Sequence, residues 1–190
     1  MFCSKFRFDY FTPYSIKLFD FPYFSETGNI LILDSDILFF RKPAEIIRAV
    51  MNRHGVFLSD SQDCYSFSKN HLNALFKVRM RSRVNCGLIY FPGKKYYNLD
   101  LIESYQKEAH RHRYPTYWVE QTAWALLISK YRKAFKRLGP SYRISRQRLT
   151  VGTTGYHFSS RSLRPNFYRK GLRRLKSSGF LEKTFGARPE

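Results

Sequence analysis

Two carboxylates, Asp34 and Asp36, stand one residue apart with an apolar run on each side, residues 30–33 before them and residues 37–40 after. Like charges framed by core sequence are costly unless something positive sits between them. A divalent cation is the economical solution, because hard cations take carboxylate oxygens. The run 30–33 is apolar without interruption and half β-branched, which predicts a short parallel strand buried on both faces. In open α/β sheets the C-terminal ends of such strands bind ligands. The bland alternative is an N-capping aspartate with a solvated neighbour.

Four further places carry residues with chemistry to offer. Asn85 and Gly87 open the apolar stretch 88–91, where an amide can both donate and accept and a glycine lets another group approach the backbone; they are equally what a turn entering a strand would use. Glu120 and Gln121 interrupt an otherwise apolar helix over residues 118–128. A carboxylate there either caps the helix or faces a site. His157 follows a strand-like run and precedes Arg164-Pro165 by seven residues. Lys17 reads as a surface lysine with a buried stem or as a cation aimed at an anion. Asp60 and Asp63 lie in the polar loop 59–69 and read as solvated.

Residues 33–38, Leu-Asp-Ser-Asp-Ile-Leu, resemble the DxD motif of GT-A glycosyltransferases, which transfer a sugar from a nucleotide-sugar donor. The approach (residues 14–22) and the exit (residues 41–47) resemble the glycogenin-like, family-8-type branch. The Asn85-x-Gly87 strand, the Glu120-Gln121 pair and the His157-Phe158 element follow in family order, over residues 14–175. The resemblance implies an α/β, GT-A-like mixed sheet flanked by helices. Asp34, Asp36 and His157 would then ligate Mn²⁺ or Mg²⁺. Asn85, Gly87, Lys17, Arg164 and Lys170 would bind the donor, expected to be a UDP-sugar, and Glu120 and Gln121 would be catalytic. The acceptor, a glycan, a lipid or a protein, is left open. Three departures stand out: Glu replaces the family's Asp before Gln121, Arg replaces Lys before Pro165, and the glycine between His157 and Arg164 is missing. Only 33 residues precede Asp34, fewer than the β–α units that hold the nucleoside in such enzymes. The expectation is an N-terminally truncated domain whose nucleoside half is encoded upstream or supplied by a partner subunit, with an apolar sheet edge left exposed.

At 190 residues the chain suits one domain, divided into a lead-in (1–28), a core holding the DxD and sugar pocket (29–131) and a basic part (132–190). A hydrophobic content of 43% with 18% aromatics excludes disorder. Three widely spaced cysteines and the lack of an apolar leader core or spanning segment predict a cytoplasmic protein, peripheral at most to the inner membrane face. The net charge of +20 is uneven: residues 121–181 hold 15 Lys or Arg and no acid. Such a field draws nucleotides, nucleic acid or anionic lipid alike. A basic nucleic-acid-binding protein is therefore the competing reading, although a carboxylate pair at a strand end repels phosphate. An inactive GT-A-derived scaffold is a third.

The remaining pattern predicts a one-sided helix over 44–53 with Ile46, Ile47, Val50 and Met51 inward and Gly55 as its stop. A strand over 56–58 and helices over 71–76, 97–112 and 118–128 follow. Residues 77–83 alternate basic with other side chains, as a solvated edge would. Residues 130–136 read as a basic helix end, residues 142–151 as strand-like, and residues 167–175 as a basic amphipathic helix with Tyr168, Leu172 and Leu175 on one side, suited to an anionic membrane surface.

Overall fold

A computed structural model describes residues 17–20, 22, 25, 28–113, 116–159, 164–177 and 179. It is a mixed α/β protein built on two sheets. Strands β1 (Asn29–Leu33), β3 (Gly55–Ser59), β4 (Val84–Pro92) and β5 (Phe135–Arg137) form the larger sheet in the order β1-β4-β3-β5. Strands β2 (Ile37–Phe39), β6 (Tyr142–Ile144) and β7 (Gly155–His157) form the smaller one in the order β2-β7-β6. Each sheet is mixed: β3–β5 and β6–β7 run parallel and the other pairs antiparallel.

Four helices, α1 (Ala44–Met51), α2 (Lys69–Phe76), α3 (Leu99–Arg111) and α4 (Thr116–Lys130), connect the strands. Alternation along β3 and β4 separates two cores, as the two-residue period of a strand requires. Phe57, Ile89 and Phe91 join Trp124 of α4 and Tyr105 of α3 on one face. Val56, Leu58, Leu88 and Tyr90 meet Ile46 and Ala49 of α1 and Tyr142 and Ile144 of the second sheet on the other. The central strand β4 is buried along its whole length, which is why its sequence is apolar without alternation. Among the described residues no helix is long and apolar enough to cross a membrane.

Several expectations are corrected. Strand β1 is not a doubly buried parallel strand. It pairs antiparallel with β4 and, among the described residues, with no other strand. Ile32 is 1% exposed against the helices, while Leu31 and Leu33 on the other face are 45% and 42% exposed. An apolar run states how hydrophobic a strand is, not which neighbour it has. Helix α1 buries Ile46 and Ala49 and leaves Ile47, Val50 and Met51 exposed, and it ends at Asn52, so Gly55 opens β3 instead of closing the helix.

Residues 135–137, the first two of them expected within the basic helix end 130–136, form the parallel edge strand β5, because Phe135 is needed under Phe91 and Tyr96. Of residues 142–151 only the first three are strand. The C-terminal helix starts as α (Arg164–Asn166), widens to π over Phe167–Leu172 and returns to α over Arg173–Ser177. The wider turn brings every fourth residue inward. Phe167, Gly171 and Leu175 therefore face the second sheet, and Tyr168 is 67% exposed. A methyl on Gly171 would lie 2.7 Å from Leu38 and 2.8 Å from Phe158, so the helix rests directly on the strands that follow Asp36 and contain His157.

Candidate metal centre

Asp34 is the first residue beyond β1, and its backbone N–H donates to the Gly87 carbonyl at 2.8 Å, continuing the ladder with β4 by one rung. The chain then turns, Ile37 N donating to Asp34 O at 3.2 Å, and enters the second sheet. There Ile37 is paired with His157, and Phe158 N donates to Asp36 O at 3.0 Å. The step from one sheet to the next thus carries the two aspartates past the end of β7. One ligand atom each from Asp34, Asp36 and His157 lies within 4.8 Å of the others. His157 Nε2 is 3.3 Å from Asp34 Oδ2 and 3.1 Å from Asp36 Oδ1.

The other ring nitrogen fixes how His157 presents itself. Asn85 Oδ1 accepts from Gly87 N at 3.0 Å, so the carbonyl end of that amide is the end facing His157 Nδ1, also at 3.0 Å. Asn85 Nδ2 in turn donates to Asp60 Oδ2 at 2.9 Å, which holds the amide the same way round. Facing an acceptor, Nδ1 must carry a hydrogen. In the neutral imidazole the lone pair is then on Nε2, pointing between the two aspartates. This is the outer-shell arrangement that orients metal-binding histidines.

Asp60, read from sequence as a solvated loop residue, is therefore part of the site. Its Oδ2 also receives Gln121 Nε2 at 3.4 Å. The signal was present: Asp60 follows the apolar residues 56–58 of β3 almost as Asp34 follows β1. Strand β4 slips against β3 between Phe57 and Leu58, so that Leu58 lies opposite Asn85. This irregularity aims Asn85 and Gly87 at the aspartates.

Gly87 makes room for protein, not only for a ligand. A Cβ there would stand 2.2 Å from His157 Cε1 and 2.9 Å from Asp34 Oδ2. Gly87→Ala is expected to push the imidazole out of line and cost about 1–3 kcal/mol of stability. Thermal melts with and without Mn²⁺ check this; a variant with unchanged stability and unchanged metal-induced stabilisation would contradict it.

Lys17, on the helical residues 17–20, reaches into the same space. Its ammonium hydrogen-bonds Asp34 Oδ1 and lies 3.2 Å from Glu120 Oε1, the latter an ion pair without hydrogen-bond geometry. Glu120 is 1% exposed on α4. Burial lifts its carboxyl to about 7, an effect that Lys17 only partly offsets. Burial disfavours the charge on Lys17, yet Glu120 and Asp34 outweigh it and raise its pKa. Burial would raise Asp34, but hydrogen bonds from His157 and Lys17 hold it below the usual carboxylate range. Burial likewise opposes the imidazolium of His157, and its hydrogen bonds to Asp34 and Asp36 win, lifting it to about 9.

Compared with known proteins, the chain matches no family model and no curated sequence.

Of the residues singled out from sequence, Lys17, Asp34, Asp36, Asn85, Gly87, Glu120, Gln121 and His157 converge. Asn85 and Gln121 enter through Asp60 and face inward, Gln121 also donating to the Cys64 carbonyl at 3.2 Å. Lys170 is exposed on the π turn. Arg164 opens the C-terminal helix, and its side chain lies outside the described residues. Asp63, unlike Asp60, is a surface group, paired with Lys69 at 2.8 Å.

Proposed function

We propose that the protein is a metal-dependent glycosyltransferase of GT-A type, transferring a sugar from a nucleoside-diphosphate donor, with Asp34, Asp36 and His157 as ligands to Mn²⁺ or Mg²⁺. The observation that carries this reading is the convergence on one point of two carboxylates from the β1–β2 turn and one outer-shell-oriented imidazole from β7. The donor set fits the ion: two hard oxygen ligands and a histidine whose other nitrogen is occupied. When bound, the ion supplies Lewis-acid stabilisation of charge on the departing nucleoside diphosphate.

The chain's own residues do the rest. Lys17 holds a permanent positive charge beside Asp34, where it can meet a phosphate oxygen. Asn85 has one amide hydrogen left after bonding Asp60, enough for a single sugar hydroxyl. Glu120, beneath Lys17, has a carboxyl raised towards neutrality that can take or give a proton, and Gln121 acts behind it through Asp60. Lys170 and Arg164 are the cations of the adjoining helix. The inactive-scaffold reading draws on a different observation: a protonated His157 and Lys17 already neutralise the aspartates without an ion.

Calorimetric titration of UDP-glucose and UDP-galactose with and without Mn²⁺ separates the two. Binding is expected to require the cation and to weaken at least tenfold in excess EDTA, because without the ion Asp34 and Asp36 offer a diphosphate no ligand contact. Undiminished binding in EDTA would overturn the metal-dependent reading, and absence of any Mn²⁺ binding would favour the scaffold.

A further inference from the structure

Residues 77–83 and 130–137 carry four and five basic side chains and no acidic one. The fold lays these two stretches against each other at the β5 edge of the larger sheet, the opposite edge from β1 and the metal cluster. Three arginines lock them together through backbone carbonyls. Arg81 donates to the carbonyls of Arg132 and Phe135 at 2.6 and 3.0 Å, Arg132 to that of Arg79 at 2.9 Å, and Arg137 to that of Ser82 at 3.0 Å.

None of the ion pairs among the described residues involves any of the nine. Asp63 accepts from the backbone N–H of Arg83 and is already paired with Lys69. The exposed guanidiniums of Arg132 and Arg137 keep unused N–H donors, whereas Arg81 Nε is buried. Burial, and then the charges of Arg132 and Arg137, depress the pKa of Arg81. A solvated charged face ordinarily mixes signs, whereas these two stretches are fixed to each other and carry only positive charges, the arrangement that phosphate oxygens satisfy.

We infer that this β5 edge is a docking surface for the phosphate headgroups of an anionic lipid bilayer. Two observations favour lipid over nucleic acid. No aromatic ring is exposed in either stretch, for Tyr131 is half-buried against Tyr96, so bases have nothing to stack on. Leu75, 46% exposed, lines one open cleft with Lys77 and Lys130, placing an apolar side chain beside the cations, as shallow entry into a headgroup layer requires. Asp100 and Glu108 also line that cleft, so headgroups sit on the basic rim and not inside it. This surface is separate from the C-terminal helix, which the sequence pattern alone had suggested for the same partner.

Flotation with phosphatidylcholine vesicles containing 30% phosphatidylglycerol tests the inference, using the full chain in EDTA so that the metal cluster plays no part. Binding is expected to these vesicles and not to pure phosphatidylcholine. A cation near such a surface contributes roughly fivefold. The triple variant Arg79→Gln, Lys133→Gln, Lys136→Gln, all exposed positions whose side chains take no part in the carbonyl locks, should therefore bind about a hundredfold more weakly at an unchanged melting temperature. Leu75→Ser should weaken vesicle binding severalfold. The triple variant Arg169→Gln, Arg173→Gln, Lys176→Gln on the C-terminal helix should retain most of it. Absence of binding, equal losses from both triple variants, or tighter binding to a 30-base-pair duplex at the same salt would each overturn the inference.

Discussion

Asp36→Asn is expected to weaken Mn²⁺ binding by on the order of a hundredfold or more while leaving the fold intact. The asymmetry between the two aspartates makes this the informative substitution. Asp34 is bonded to Lys17 as well as His157, so its removal leaves Lys17 facing Glu120 alone and disturbs the core. Among the described residues the Asp36 carboxylate touches only His157 Nε2, at 3.1 Å, and its side chain is 32% exposed. Its backbone, not its side chain, ties the turn to Phe158. An asparagine keeps that geometry and one oxygen but removes the ligand charge, and losses from outer-shell changes alone reach 10–100-fold. Calorimetry of Mn²⁺ binding with circular dichroism as a folding control decides it. Unchanged affinity would remove Asp36 from the ligand set, and an unfolded variant would make the carboxylate structural.

The second large effect is on stability against pH. In the metal-free protein His157 has its folded pKa raised from 6.5 to about 9. A histidine raised in this way contributes stability that is complete below the unfolded value and is lost as pH rises through the folded one. A difference of that size corresponds to on the order of 3 kcal/mol. Glu120, raised by burial to about 7, acts in the same direction at lower pH, since its folded carboxyl binds protons more tightly than the unfolded one between 4.5 and 7. Denaturant titrations in EDTA should therefore show stability falling from pH 6.5 to 9.

His157→Asn should flatten the upper part of that slope. Saturating Mn²⁺ should largely cancel it, because the ion displaces the Nε2 proton and binds more tightly as that proton leaves. At a hundred times its dissociation constant a ligand adds about 2.7 kcal/mol, enough to offset most of the loss at pH 9. A flat profile in EDTA, or an equal slope with and without Mn²⁺, would mean that His157 is not the shared proton and metal site.

Much of the site was legible in the chain because its residues are locally improbable. A carboxylate pair between two apolar runs, a glutamate in an apolar helix and an Asn-x-Gly at the mouth of a buried strand each need a reason, and the fold supplies a common one. Helices α2, α3 and α4 were legible for a related cause, since their apolar residues are written within a few residues of one another, while the caps Ser68 and Asn98 came only from the structure. The tertiary structure alone decided what depends on partners distant in sequence. Strand β1 is apolar whether its neighbour runs parallel or antiparallel, and only pairing with residues 88–92 shows which.

Asp60 looks like any loop aspartate until the β3–β4 slip sets Asn85 beside it. Gly87 suggests an open pocket until the imbalance of space is seen to be filled by His157, seventy residues away. Residues 135–137 carry a helix-end charge pattern that the need to bury Phe135 overrides. Local sequence sets which groups are costly to bury; long-range packing sets which of them meet, and the chemistry of this site lies in the meeting.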